Sequence, residues 1–336
     1  MTNFYDQWLN YWSEEEDERS RARKYIHEEQ LEWVKTKQDF SAALLCAREN
    51  GFITAGAAYM AIIPKGWHTG KHTHGEEAIY ILSGQGCSVV DGQRYDWEKG
   101  SCLFMPFGSV HQHFNTGDDE THYLSFMGLA LERFAGMAKF DQHEETGQTR
   151  TGDLQGMQKA KSDIHPEYGR IVLHINDAPV FVGEEQAKSM AIRKDEFTQS
   201  VAAAQRTPGF QGHRSRVMRF MGSPENDFKA REVEITGILC DEPGMHSGKH
   251  AHMEALLYVL QGEGYSIVGD EKIKWKKGTL FHVQGPHTPH QHFNTGTVES
   301  QHLRIHYGLR FHYFQALARR VFPHEYLELS SYGSKK

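Results

Sequence analysis

Gly66-Trp67-His68-Thr69-Gly70-Lys71-His72-Thr73-His74 returns later in the chain as Gly244-Met245-His246-Ser247-Gly248-Lys249-His250-Ala251-His252. The correspondence runs outward from there without a gap. Tyr80-Ile81-Leu82-Ser83-Gly84-Gln85-Gly86 meets Tyr258-Val259-Leu260-Gln261-Gly262-Glu263-Gly264, and Trp97-Glu98-Lys99-Gly100 meets Trp275-Lys276-Lys277-Gly278. After one extra residue in the second copy, His111-Gln112-His113-Phe114-Asn115-Thr116-Gly117 meets His290-Gln291-His292-Phe293-Asn294-Thr295-Gly296. Chance does not produce a match of this length, so the chain contains a duplicated domain.

Each copy reads as β-structure. Short apolar runs such as Ile79–Leu82, Cys87–Val90 and Leu256–Leu260 are bounded by glycine-rich turns, and Asp91-Gly92 and Gly269-Asp270 are hairpin signals. Strands this short and this closely spaced predict a barrel or sandwich, not a parallel α/β sheet. Outside the copies, Phe4 to about Gln38 has helix-like spacing, residues 131–170 look like a linker, Glu184–Gln205 includes a helix signal, and Phe311–Phe322 looks like a closing helix. The expected division is an N-terminal helical extension (1–45), a first barrel (46–135), a linker with partial helix (136–210) and a second barrel with its terminal helix (211–325).

Bulk properties narrow the function. A chain of 336 residues exceeds what one core usually supports. The net charge of −7 gives no reason to expect nucleic acid, which is bound through an excess of Lys and Arg. No apolar run is long enough to cross a membrane as a helix, and the aromatic then acidic start, through Ser13–Asp17, is unlike a signal peptide, so a cytoplasmic location is expected. Cys46, Cys87, Cys102 and Cys240 form no CxxC pair and are expected to be buried small hydrophobes.

The 22 histidines stand out, and their placement decides what they are for. Alternate side chains of a strand share a face, so His72 and His74 point the same way, as do His250 and His252. Two imidazoles on one face of a narrow barrel can occupy adjacent corners of a coordination sphere. A third ligand must come from a strand distant in sequence, and His111 and His290 are the candidates. Neutral imidazole is the commonest metal ligand near neutral pH.

These residues resemble the cupin motifs. Gly66-x5-His72-x-His74 with Glu77-x6-Gly84 is similar to the first motif, and Gly100-x5-Pro106-x-Gly108-x2-His111-x3-Asn115 to the second. The second copy fits with departures: Gln284 stands at the usual proline, and one residue is inserted before His290. The resemblance covers about residues 50–130 and 225–310. It implies an all-β fold of two tandem double-stranded β-helix (jelly-roll) barrels, each holding a metal inside. The family's usual fourth ligand is a glutamate, which places Glu77 in the first set. Copy two has Ala255 there, with Glu254 one position earlier and aligned with Glu76. By alternation both earlier residues point outward, although a short loop could turn either inward, so Glu254 stays a candidate ligand.

Three histidines without a carboxylate leave a metal three open positions. Copy two is in this respect similar to ring-cleaving bicupins of the gentisate 1,2-dioxygenase kind, which hold iron(II) by three histidines. The strand beyond its third histidine reads Gln301-His302-Leu303-Arg304-Ile305-His306. His302, Arg304 and His306 share one face, either inside the barrel or in solvent. Inside, the arginine fork would match a substrate carboxylate. The resemblance therefore implies an Fe(II) dioxygenase, with Mn(II), Ni(II) and Zn(II) as other metals of the family, acting on a small aromatic acid or phenol and O2. Arg304, His306 and His292 would position substrate and manage protons. A manganese decarboxylase, a sugar isomerase and a non-catalytic binding or storage bicupin are the alternatives. The aromatic-rich N-terminal helix is a candidate interface for a homo-oligomer.

Overall fold

The computed structural model describes residues 3–150, 152–155, 157–181, 216–307, 315–318, 320–321 and 325–328. Two lobes are each built of two facing sheets, antiparallel but for one short parallel pair in the first lobe. In the first lobe, Glu77–Ser83 lies between Cys102–Met105 and Thr121–Met127, and that sheet continues through Ala57–Ile63 and Ser41–Cys46 to Trp33–Val34. Facing it, His111–Asn115 lies between Lys71–Thr73 and Gln85–Val90. The second lobe repeats the plan, with Ala255–Gln261 between Thr279–Val283 and Ser300–His306, and His290–Asn294 between Lys249–Ala251 and Glu263–Val268. This is the tandem jelly-roll architecture that the resemblance to the cupin motifs implies.

The apolar runs inside the two central strands have a simple cause: both faces are buried. Along Glu77–Ser83, Ile79 and Ile81 turn into the first barrel with Tyr95, Trp97, Leu103 and Tyr123. Ala78 and Tyr80 turn the other way, into a core shared by the lobes that also holds Phe220, Tyr258, Leu303 and Ile305. Leu257 and Val259 fill the second barrel with Trp275 and Phe281. The two large sheets thus pack against each other between the barrels. The turn after each central strand uses glycine by necessity. Gly84 and Gly262 have φ of 87° and 86°, and an added Cβ would meet Thr121 Oγ1 at 2.2 Å or Ser300 Cα at 2.8 Å.

The chain ends depart from the expected division. The N-terminal helix covers Phe4–Arg21, not the whole stretch to Gln38, and Ala22 ends it in an extended conformation. Tyr25–His27 then forms a strand pairing with Thr279–Val283 of the second lobe, with Ile26 opposite Leu280. Burial of Ile26 in the shared core explains why helix gives way there. Trp33–Val34 and Ser41–Cys46 belong to the first lobe's sheet, so residues 22–45 are not a helical extension. Up to Phe181 the expected linker carries short strands and one 3-10 turn, Ile175–Asp177: Val172–Leu173 pairs with the first lobe and Val180–Phe181 with the second. The helix expected within Glu184–Gln205 lies outside the described residues. Of the expected closing helix, Gln315–Ala318 is helical and residues 311–314, 319 and 322 lie outside the described residues.

Candidate metal centres

His72 and His111 are direct cross-strand partners, as are His250 and His290, so strand register brings the predicted third histidine to the first. In the first lobe the rings of His72, His74 and His111 lie 4.3–4.8 Å apart, centroid to centroid. In the second, His250, His252 and His290 are 4.3–5.1 Å apart. One ligand atom from each of His72, His74, Glu77 and His111 lies within 4.8 Å of all the others, and the same holds for His250, His252 and His290.

The histidines are oriented from behind. Nδ1 of His72, His74 and His111 lies 3.3, 2.9 and 3.0 Å from the carbonyl oxygens of Gly70, Gly75 and Ser109. His250, His252 and His290 use Gly248, Met253 and Thr288 in the same way. A carbonyl can only accept, so each Nδ1 carries the proton and each Nε2 presents its lone pair to the interior. Burial also keeps the rings neutral, lowering His72 to about 3 and His74 to about 4 and holding His111 well below the usual histidine range. Glu77 Oε2 lies 3.6 Å from Nε2 of both His74 and His111. Neither Glu77 Oε2 nor His111 Nε2 has a hydrogen-bond partner, although both are fully buried. Lone pairs converging without a proton between them fit a cation, so this donor set suits one divalent metal.

Glu77 is itself held. Ser125 donates to its Oε1, and the Tyr59 hydroxyl approaches the same atom at 3.4 Å. Without a cation, burial pushes its carboxyl up to about 7. Tyr123 lies behind, its hydroxyl donating to Asp39 at 2.5 Å. Phe140, half-exposed, lies over the outer side of His74, with ring centroids 5.2 Å apart. Sequence reasoning singled out none of these supporting residues.

The second lobe changes this whole corner together. At the register positions where the first lobe has Glu77, Met127, Ser125 and Tyr59, the second has Ala255, His306, Arg304 and Gly237. A carboxylate, the two hydroxyls that hold it and a thioether thus give way to an alanine, a glycine and two basic side chains. His302, Arg304 and His306 are all buried. The His306 ring lies 5.8 Å from that of His252, and His302 stands on edge against Trp275 at 4.5 Å. Their shared face is therefore the barrel interior. Arg304 Nε donates to Thr236 Oγ1 at 2.8 Å. The exchange of Tyr59 for Gly237 lies on a third strand, outside the repeated motifs that the sequence comparison used.

Glu254 is not in the second histidine group. Its carboxylate leaves the barrel, accepts from the Ala55 backbone N–H at 3.1 Å and lies 2.8 Å from His282 Nε2. The candidate ligand is thus employed in the contact between lobes. His292 and His113 hold matching positions, each Nδ1 bonded to a serine (Ser266 or Ser88) that also accepts from a tryptophan Nε1 (Trp275 or Trp97). His68 and His246 stand outside both groups, each against a phenylalanine and a glutamine amide, and shape their loops.

A duplicated jelly roll with a histidine cluster inside each barrel defines a bicupin. The cupin domain model matches residues 59–127 and 237–305, so the chain carries two cupin domains, one in each lobe. A curated relative, an uncharacterized protein of Methanocaldococcus jannaschii, is 35% identical over 60 residues, covering 17% of this chain and 48% of its own length. The chain thus matches about half of that relative. Among solved structures, salicylate 1,2-dioxygenase from Pseudaminobacter salicylatoxidans is similar over 75% of this chain and 70% of its own, with TM-score 0.51 and 14% identity. A variant of Bacillus subtilis oxalate decarboxylase is similar over 86% and 78%, with TM-score 0.59 and 12% identity. At such identities the likeness is one of fold.

Proposed function

We propose that the second barrel is the reaction centre of an iron(II) dioxygenase that opens the ring of a hydroxylated aromatic acid or phenol. The observation that carries this reading is the joint replacement of Glu77, Ser125 and Tyr59 by Ala255, Arg304 and Gly237. His250, His252 and His290 would hold the metal, with no carboxylate among the described residues grouped with them to fill a further position. Bound there, iron(II) would bring substrate oxygens and O2 together and let electrons pass between them. Arg304 would take the substrate carboxylate in its fork. His306, beside His252, would accept the proton of a phenolic hydroxyl. His292, fixed by Ser266, would keep the ligand strand in place. The fold likeness to salicylate 1,2-dioxygenase, one structure of which is a complex with gentisate, supports this substrate class.

An oxygen electrode tests the reading. Iron-loaded protein should consume O2 with at least one of gentisate, hydroxynaphthoate, hydroquinone or salicylate, and no uptake across that panel would overturn it.

A second reading has its own support. His72, His74, Glu77 and His111 form a four-ligand set, which suits a non-oxidative manganese enzyme such as a decarboxylase, and the fold likeness to oxalate decarboxylase points the same way. Turnover that proceeds without oxygen, in protein purified with manganese, would favour it. Metal-free protein with unchanged thermal stability would instead favour a binding protein with no catalysis.

A further inference from the structure

The 18-residue N-terminal helix carries a large apolar surface, none of whose side chains is buried. Phe4, Tyr5, Trp8, Leu9, Tyr11 and Trp12 are each 44–66% exposed. At 100° per residue, these six fall on one side of the helix, in an arc of roughly 160°. Phe4 and Tyr5 both meet Trp8 edge-on, and Arg19 closes the end of the stripe over Trp12 at 4.9 Å. A free helix of this length is marginal in water, and helices in proteins gain most of their stability by packing an apolar face.

The root of this helix is fixed. Gln284 donates to the Arg19 carbonyl at 3.1 Å, Lys24 pairs with Glu271 at 2.6 Å, and Tyr25–His27 is a strand of the second lobe. The stripe is therefore presented from a rigid base.

We propose that this stripe is a self-association surface, through which two copies of the chain pair as antiparallel helices about an axis at Trp8. Area supports a second copy as the occupant. Aromatic side chains bury about 150–250 Å² each, so half-exposed ones offer roughly 100 Å² apiece and the stripe about 600 Å². Two such stripes facing each other would bury about 1,200 Å², the lower end of what specific interfaces need. Charge sets the direction. Glu14, Glu15, Glu16, Asp17 and Glu18 follow the stripe directly. Parallel pairing would lay ten acidic side chains against one another, whereas antiparallel pairing carries each run past the end of the partner's stripe. The same acidic run opposes docking on an anionic lipid surface, where such helices carry Lys and Arg.

Sedimentation velocity and light scattering on the full chain test the proposal. Wild-type protein should have twice the chain mass of 38.5 kDa at micromolar concentration, and Trp8→Glu/Leu9→Glu should weaken association by about 100-fold with unchanged β-sheet circular dichroism. Cysteine cross-linking gives a second readout, because Cys46, Cys87, Cys102 and Cys240 are all buried. Trp8→Cys should form a disulfide dimer readily. Phe4→Cys should do so only when mixed with Trp12→Cys. A wild-type monomer at 100 µM, a dimer that survives Trp8→Glu/Leu9→Glu, or efficient self-linking of Phe4→Cys would each overturn it.

Discussion

Glu76 and Glu254 occupy equivalent places in the two repeats, and each carboxylate crosses to the other lobe. Glu76 accepts from the backbone N–H groups of Arg231 and Glu232 at 2.6 and 2.7 Å, and Glu254 from that of Ala55 at 3.1 Å. Each is one residue before the position that is Glu77 in one barrel and Ala255 in the other. Alternation along the strand thus sends one side chain to the metal corner and its neighbour to the seam between lobes.

Removing either strut should loosen the seam without emptying the barrels. Glu76→Ala or Glu254→Ala leaves buried N–H groups without their acceptor, at a cost of about 1–3 kcal/mol. Calorimetry should show a melting temperature lower by a few degrees, with metal content unchanged. A variant that melts like the wild type would show that water replaces the carboxylate.

Metal content should report the two histidine groups separately. Fully loaded protein should hold two ions per chain, and His290→Ala or His111→Ala should each reduce this to one, measured by plasma emission. His290→Ala should abolish O2 uptake, since the proposed reaction belongs to the second barrel. Full activity in that variant would move the reaction to the first.

The first barrel should hold its metal less tightly as the pH falls below 7. Burial raises Glu77 to about 7 when no cation is present, whereas His72 and His74 stay neutral down to about 3 and 4. Below pH 7 a metal must displace one proton from Glu77, so affinity should fall about tenfold per pH unit; above pH 7 the carboxylate is already ionised and the slope should vanish. Titration calorimetry on His290→Ala protein isolates this site. Glu77→Gln should remove the slope.

Arg304→Met should separate binding from chemistry. If the guanidinium holds the substrate carboxylate, KM for an aromatic acid should rise about 10–100-fold, in line with the loss of a charge-assisted hydrogen bond. Hydroquinone, which has no carboxylate, should be turned over as before. Equal losses for both substrates would place Arg304 in barrel packing instead.

Much of the histidine arrangement was readable in advance because it depends on local rules. His72 with His74 follows from strand alternation, and His111 and His290 follow from the repeat. The paired rows behind them were harder to read. Whether Arg304 faced the barrel or solvent could not be settled by alternation, which fixes that residues share a face but not which face is inside. The Tyr59, Ser125 and Glu77 contact joins three strands, and no spacing within any one of them announces it.

The amino-acid order alone determined a duplicated β-domain and two histidine clusters, because side-chain direction along a strand and recurrence along the chain are both local properties; the jelly roll itself was what the resemblance to the cupin motifs implied. Tertiary structure alone decided that Tyr25–His27 would complete the second lobe and that Glu254 would serve the seam. Both outcomes depend on which buried surface or unpaired edge lies within reach once the lobes have docked. A carboxylate takes the donor that docking brings to it, and that donor, the Ala55 N–H, comes from the far side of the chain.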